Sequence, residues 1–163
     1  MKLLTIDPGL KNAGYVFAEF FPRKNLLVIT ETGTAELTLP FVEQLAAEKP
    51  DVAVIEKFVV YKGKGVDVEE FARRIGWLEY ALWKAGTSVE LVKAVDWQTR
   101  ILAKFSALPK KGQKYNLKAK SFLKEKFGIT LPTEHEADAA LIATYFVIKQ
   151  SGVVPDVRLE LTD

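Results

Sequence analysis

A mixed α/β fold is predicted for this chain: a five-stranded sheet, partly antiparallel and partly parallel, flanked by helices on both faces. Three observations predict it. Three strand-like segments come first, joined by short turns, which makes them antiparallel neighbours. Two more strand-like segments then alternate with helical ones, as parallel crossovers require. Finally, residues 139–148 read Ala-Ala-Leu-Ile-Ala-Thr-Tyr-Phe-Val-Ile, apolar nearly all round, as in a helix covered on every side.

The elements follow in order. Leu3–Ile6 is a short apolar run stopped by the turn signal Asp7-Pro8-Gly9 and reads as a buried strand. Gly14–Phe20 and Leu26–Leu37 alternate, are rich in β-branched and aromatic residues, and join around Pro22-Arg23-Lys24-Asn25. Pro40 opens a helix to about Glu48, with proline in its first turn. Asp51–Glu56 is nearly all apolar, as a central parallel strand should be.

After Lys62-Gly-Lys-Gly65, Asp67 caps a helix that runs to Ala85 and stops at Gly86. Its core stripe is Phe71, Ile75, Leu78 and Leu82, which leaves Trp77, Tyr80 and Trp83 outside it; they suit either an interface or another element of the same chain. Val89–Val92 is the fifth strand. Asp96–Lys104 and Leu117–Lys126 are helices around a loop holding Pro109 and Gly112. Thr133–Gln150 is the last long helix, and Val153–Asp163 is strand or extended chain.

Composition narrows the chemistry. The 163 residues fit one domain, 1–163. Cysteine is absent, which excludes disulfides, thiolate nucleophiles and iron–sulfur clusters. A single histidine excludes a multi-histidine metal centre, so any metal is a hard ion held mainly by carboxylates. No apolar run approaches the ~20 residues of a membrane span. A charge arrives too soon after Met1 for a signal peptide, so a cytoplasmic location is expected.

The net charge of +2 is unevenly spread. From Arg100 to Lys126 nine basic residues face one acid, Glu125; that stretch carries +8 and the other 136 residues −6. Such separation suits a polyanion. Lys110, Lys111, Lys114 and Lys118 are the candidate phosphate contacts there. Lys on helices is usually only a solvated face, but these lysines also fill a loop nearly free of acids. In Phe58-Val-Val-Tyr61-Lys62-Gly-Lys64-Gly65, an aromatic could stack on bases, or pack into the core instead.

Three acids resist a purely solvated reading. Asp7 and Glu56 end apolar strands, and in an open α/β sheet the carboxyl ends of parallel strands form the ligand crevice. If those strands are neighbours, the two carboxylates converge. Asp138 sits in the apolar last helix, where a lone carboxylate costs several kcal/mol unless something positive compensates it. His135 precedes it by three positions and shares its face. Such crowded acids call for divalent cations, and oxygen-rich ligation favours Mg²⁺ or Mn²⁺. Each residue has another reading: Asp7 as a turn former, Glu56 as a lysine partner, His135 as a lining of the helix start. Glu136 completes a capping box with Thr133, so it is structural first and a ligand second.

Together, Ile6-Asp7-Pro8-Gly9 with Gly14, Val54-Ile-Glu56, and His135-Glu-Ala-Asp138-Ala-Ala-Leu-Ile-Ala143 resemble the RuvC-type Holliday junction resolvases, nucleases of the RNase H-like superfamily. The resemblance covers almost the whole chain. It implies a homodimer that binds a four-way DNA junction and makes paired nicks with two Mg²⁺ per active site, Mn²⁺ substituting. It also implies Asp7, Glu56 and Asp138 as acidic metal ligands and His135 as the fourth. Phe58 or Tyr61 would open the junction, with Lys62 and Lys64 beside them, and Lys110, Lys111, Lys114 and Lys118 would bind DNA. Helix 67–85 would carry the dimer contact. Val95-Asp-Trp-Gln98 and the insert after it look more like the phage branch, which loosens the expected strictness for four-way junctions.

Three other readings stand beside it. One is an RNase H-like RNA-processing nuclease of the ribosomal RNA maturation type. Another is a branched-DNA-binding module without catalysis. The third takes Asp7-x-Gly9 with Gly14 as an actin-like ATPase phosphate loop, which needs about twice this length.

Overall fold

The computed structural model describes residues 1–9, 11–57, 68–105 and 119–161. The strands are β1 (Lys2–Asp7), β2 (Ala13–Phe21), β3 (Leu26–Ala35), β4 (Val52–Lys57), β5 (Ser88–Lys93) and β6 (Asp156–Leu159). The helices are α1 (Leu39–Ala47), α2 (Val68–Lys84), α3 (Ala94–Phe105), α4 (Ala119–Phe127) and α5 (Glu134–Ser151). The strands form one sheet in the order β5-β4-β1-β2-β3-β6. The β1–β2 and β2–β3 pairs are antiparallel; β1–β4, β4–β5 and β3–β6 are parallel.

The mixed sheet is the expected one, with a sixth strand at its edge. That strand is the tail, of which only Asp156–Leu159 pairs, opposite Leu26–Ile29. Its sequence is too short and too weakly alternating to declare itself; the exposed edge of β3 recruits it. The turn between β2 and β3 is a short 3₁₀ segment, Pro22–Lys24, closed by Asn25 in the left-handed region at φ 46°.

Strand alternation divides the core in two. Leu3 and Val54 face α5, while Leu4, Ile6, Ala53 and Ile55 face α1 and α2. Ala137, Ala139 to Ala143, Phe146 and Val147 of α5 lie in the first cluster with Trp97 and Ile101 of α3 and Phe122 and Leu123 of α4. α5 is therefore covered by the sheet on one side and by α3 and α4 on the other, which is why its sequence is apolar all round. Thr133 caps its start through an oxygen accepting from Glu136 N, and Gly152, at φ 76°, ends it. The stripe of α2 buries Phe71, Leu78 and Leu82 and half-buries Ile75, as its spacing predicts.

Candidate active site

The same alternation that fills the core aims the acids. Residues 3, 5 and 7 of β1 share one face of the sheet, as do residues 52, 54 and 56 of β4. Because Leu3 and Val54 pack toward α5, Asp7 and Glu56 leave the sheet on the α5 side. The parallel register sets Ile6 opposite Ile55, so Asp7 and Glu56 stand side by side where the two strands end.

Two close approaches bring α5 onto that spot. The hydroxyl of Thr5, fully buried, donates to the carbonyl of Ala139 at 2.7 Å. That bond, worth about 1 kcal/mol, ties β1 two residues before Asp7 to α5 one residue after Asp138. Gly14, paired with Asp7 across β1–β2, lies directly under the backbone of His135; a Cβ there would overlap the His135 carbonyl. A Cβ on Gly9 would also crowd the His135 ring, 3.2 Å away at Cε1. Both glycines are needed for lack of bulk, since the helix start must sit on the strand end.

His135 Nδ1 lies 2.6 Å from Asp7 Oδ2, although 128 residues separate them. Asp7 is buried and its imidazole partner is half exposed. Glu56 Oε2 accepts from the indole Nε1 of Trp97 at 2.6 Å. Asp7, Glu56 and Asp138 feel one another's charge. Burial raises the Asp7 carboxyl above its usual range, against the opposing pull of His135. Burial pushes Glu56 up to about 7; the indole bond opposes this, and Asp7 adds to it. Asp138 is pushed up to about 8 by burial, then by Asp7, Glu56 and Glu134.

The structure thus brings together Asp7, Glu56 and Asp138 with His135. Among the described residues no three of these side chains stand in a ready metal cage. The donor set nevertheless fits hard divalent ions, being three carboxylates and one imidazole. The influences that hold Asp138 up are burial and three acids, with no cation among them. Asp7, Glu56, Asp138 and His135 are the residues that would hold such ions.

Glu136 stands apart from this set. It is 3% exposed and accepts from the hydroxyls of Thr133 (2.9 Å) and Thr32 (2.7 Å). Its carboxylate bonds the cap's hydroxyl and pins α5 to β3. Trp97 and Thr5 are the site residues that the sequence did not single out for a role. The signal for Trp97 was slight: a large aromatic early in an amphipathic helix directly after an apolar strand. The proposed DNA contacts Phe58, Tyr61, Lys62, Lys64, Lys110, Lys111, Lys114 and Lys118 lie outside the described residues.

On the far face, Leu39, Ala46, Trp77, Tyr80 and Ala81 line an apolar groove of about 570 Å³ between α1 and α2. Of the three spare aromatics of α2, Tyr80 and Trp83 are 61% and 70% exposed, whereas Trp77 packs partly buried against the second core cluster.

No family model matches the sequence. A stretch of 61 residues is 46% identical to the large ribosomal subunit protein uL30 of Aquifex aeolicus, covering 32% of this chain. The chain spans about half the length of that curated relative, 48%. The whole fold has solved counterparts. Thermus thermophilus RuvC is similar at a TM-score of 0.69 and 15% identity, over 95% of this chain and 99% of that one. The yeast mitochondrial Holliday junction resolvase Ydc2 gives 0.57 at 17% identity, over 91% and 78%. The fowlpox virus resolvase, in complex with substrate Holliday junction DNA, gives 0.51 at 14% identity, over 92% and 99%. The class is thus the RNase H-like fold, a mixed sheet between two helical layers. Within it, the fold of this chain is similar to those of RuvC, Ydc2 and the fowlpox virus resolvase.

Proposed function

We propose that this protein is a structure-selective endodeoxyribonuclease that resolves four-way DNA junctions by paired, symmetric nicks. The observation that carries the reading is the convergence of Asp7, Glu56, Asp138 and His135 from three distant parts of the chain. A fold shared with Holliday junction resolvases supports the choice of substrate.

Two Mg²⁺ ions, replaceable by Mn²⁺, would supply a nucleophilic hydroxide and stabilise the leaving 3′-oxygen. Asp7 would hold both; Glu56 would hold one, and Asp138 and His135 the other. The Nδ1 of His135 is engaged with Asp7, which leaves Nε2 to take a ligand or a proton from attacking water. The products would be a 5′-phosphate and a 3′-hydroxyl. Two copies joined through Tyr80 and Trp83, the exposed aromatics of α2, would present two such sites, giving two nicks by symmetry. Phe58 or Tyr61 would enter the junction centre, with Lys62, Lys64, Lys110, Lys111, Lys114 and Lys118 on phosphates. No helix among the described residues is long and apolar enough to cross a membrane.

The test is incubation with labelled four-way, three-way and linear DNA, and with an RNA hairpin, in Mg²⁺. Paired ligatable nicks in the four-way substrate are expected. Cleavage of RNA alone would move the assignment to RNA processing. Junction binding without any cleavage would make the chain a non-catalytic module.

A further inference from the structure

We propose that Trp97 is a positioning residue of the acidic cluster: its indole N–H fixes the carboxylate of Glu56. This rests on the reading of that cluster as a divalent-cation site.

The placement follows from the sheet. β5 pairs in parallel with β4, setting Val92 opposite Glu56. The chain turns into α3 at Ala94, directly after β5 ends at Lys93. One helical turn later it places Trp97 back over the end of β4. The ring is 1% exposed and belongs to the same packed cluster as Val54, Val92, Ile101 and Ala137. It is therefore locked by contacts on strand, helix and neighbouring helix alike. An indole N–H only donates, and when buried it needs an acceptor. Here the acceptor is Glu56 Oε2 at 2.6 Å, across 41 residues of sequence.

The asymmetry between the partners gives the bond its direction. The indole is held by the core and cannot follow the carboxylate. Glu56 is a half-exposed side chain at a strand end, with three rotatable bonds. Ordering such a chain costs about 1–2 kcal/mol. The rigid partner fixes the flexible one, and the indole bond engages only Oε2 of Glu56. Asp7 has a different holder in His135, so each strand-end acid is oriented by a side chain from a helix that follows it in the chain.

The experiment uses the full chain. Calorimetry of Mn²⁺ binding is compared for wild type, Trp97→Phe, Glu56→Gln and the double variant. Trp97→Phe should weaken Mn²⁺ binding about 10- to 100-fold, as loss of a partner behind a metal ligand does. In the Glu56→Gln background the same change should add little. An unchanged affinity in Trp97→Phe, or an equal loss in both backgrounds, overturns the proposal. Should Trp97→Phe not fold, the indole N–H resonances of the otherwise native protein decide. With Mg²⁺ the Trp97 signal should move while those of Trp77 and Trp83 stay; a stationary Trp97 signal at saturation overturns the proposal. Binding without these effects sinks only the role of Trp97. A wild type that binds neither ion sinks the cation-site reading along with it.

Discussion

Gly14 and His135 meet backbone to strand, with no room between them for a methyl group. Gly14→Ala must push the start of α5 off the sheet. Overpacking of this kind costs roughly 1–3 kcal/mol. The expected result is a folded but less stable protein whose cleavage rate falls further than its melting temperature suggests, because His135 moves with the helix. Thermal melts and nicking assays check this; a variant with native activity would show that the close approach is unimportant.

Asp7→Asn keeps the shape of the side chain and removes its charge. Junction cleavage should fall by about a thousand-fold or more, since several kcal/mol of transition-state stabilisation depends on the ions it would hold. Gel-shift binding of the junction should persist. A variant that still nicks would remove Asp7 from the chemistry.

The raised carboxyls give a pH test with a definite sign. Glu56 moves from 4.5 to about 7 and Asp138 from 3.8 to about 8 on folding. Both folded values lie above the unfolded ones, so the fold favours the protonated acids. Their contribution to stability is present below about pH 4 and is lost as pH rises through 7 to 8. In EDTA these two acids should make the protein less stable at pH 8.5 than at pH 5.5. Mg²⁺ should restore stability most at the higher pH, where the acids are free to bind it. Melting curves that are flat with pH in EDTA would contradict these shifts.

Glu136 offers a contrast with its neighbours. Glu136→Gln keeps one carbonyl oxygen to accept from a threonine hydroxyl and turns an amide N–H donor toward the other, whose oxygen can accept, and Mg²⁺ affinity should stay near that of the wild type. Glu136→Ala strands Thr32 and Thr133 and should cost roughly 1–3 kcal/mol. A loss of Mg²⁺ affinity in the glutamine variant would make Glu136 a ligand.

Trp83→Glu on the exposed face of α2 should convert a dimer into a monomer in analytical ultracentrifugation, and paired nicks into single ones. A large aromatic in an interface contributes about 2 kcal/mol or more. A wild type that sediments as a monomer would rule out this interface.

Much of this architecture could be read from local patterns. Apolar runs ending in an acid marked β1 and β4, and the apolar continuation after Asp138 marked α5 as enclosed. Strand parity even sets which face Asp7 and Glu56 occupy, once α5 is known to cover that face. What could not be read was pairing at a distance. Thr5 looks like any residue of a buried strand until α5 lies against it. Trp97 reads as one more core aromatic until the turn after β5 swings it over Glu56. The tail reads as strand or extended chain, but its pairing as β6 could not be read, because four residues carry little alternation and the partner is 130 positions away, as Asp156 opposite Leu26 shows.

The order in which the groups occur along the chain has a consequence for synthesis. Asp7 and Glu56 emerge from the ribosome before His135 and Asp138, which arrive only with α5, the helix that also closes the core over β1. A nascent chain therefore carries two of the four groups and an uncovered sheet until α5 has been made and docks. The proposed nuclease site would in this way stay incomplete until a single helix docks.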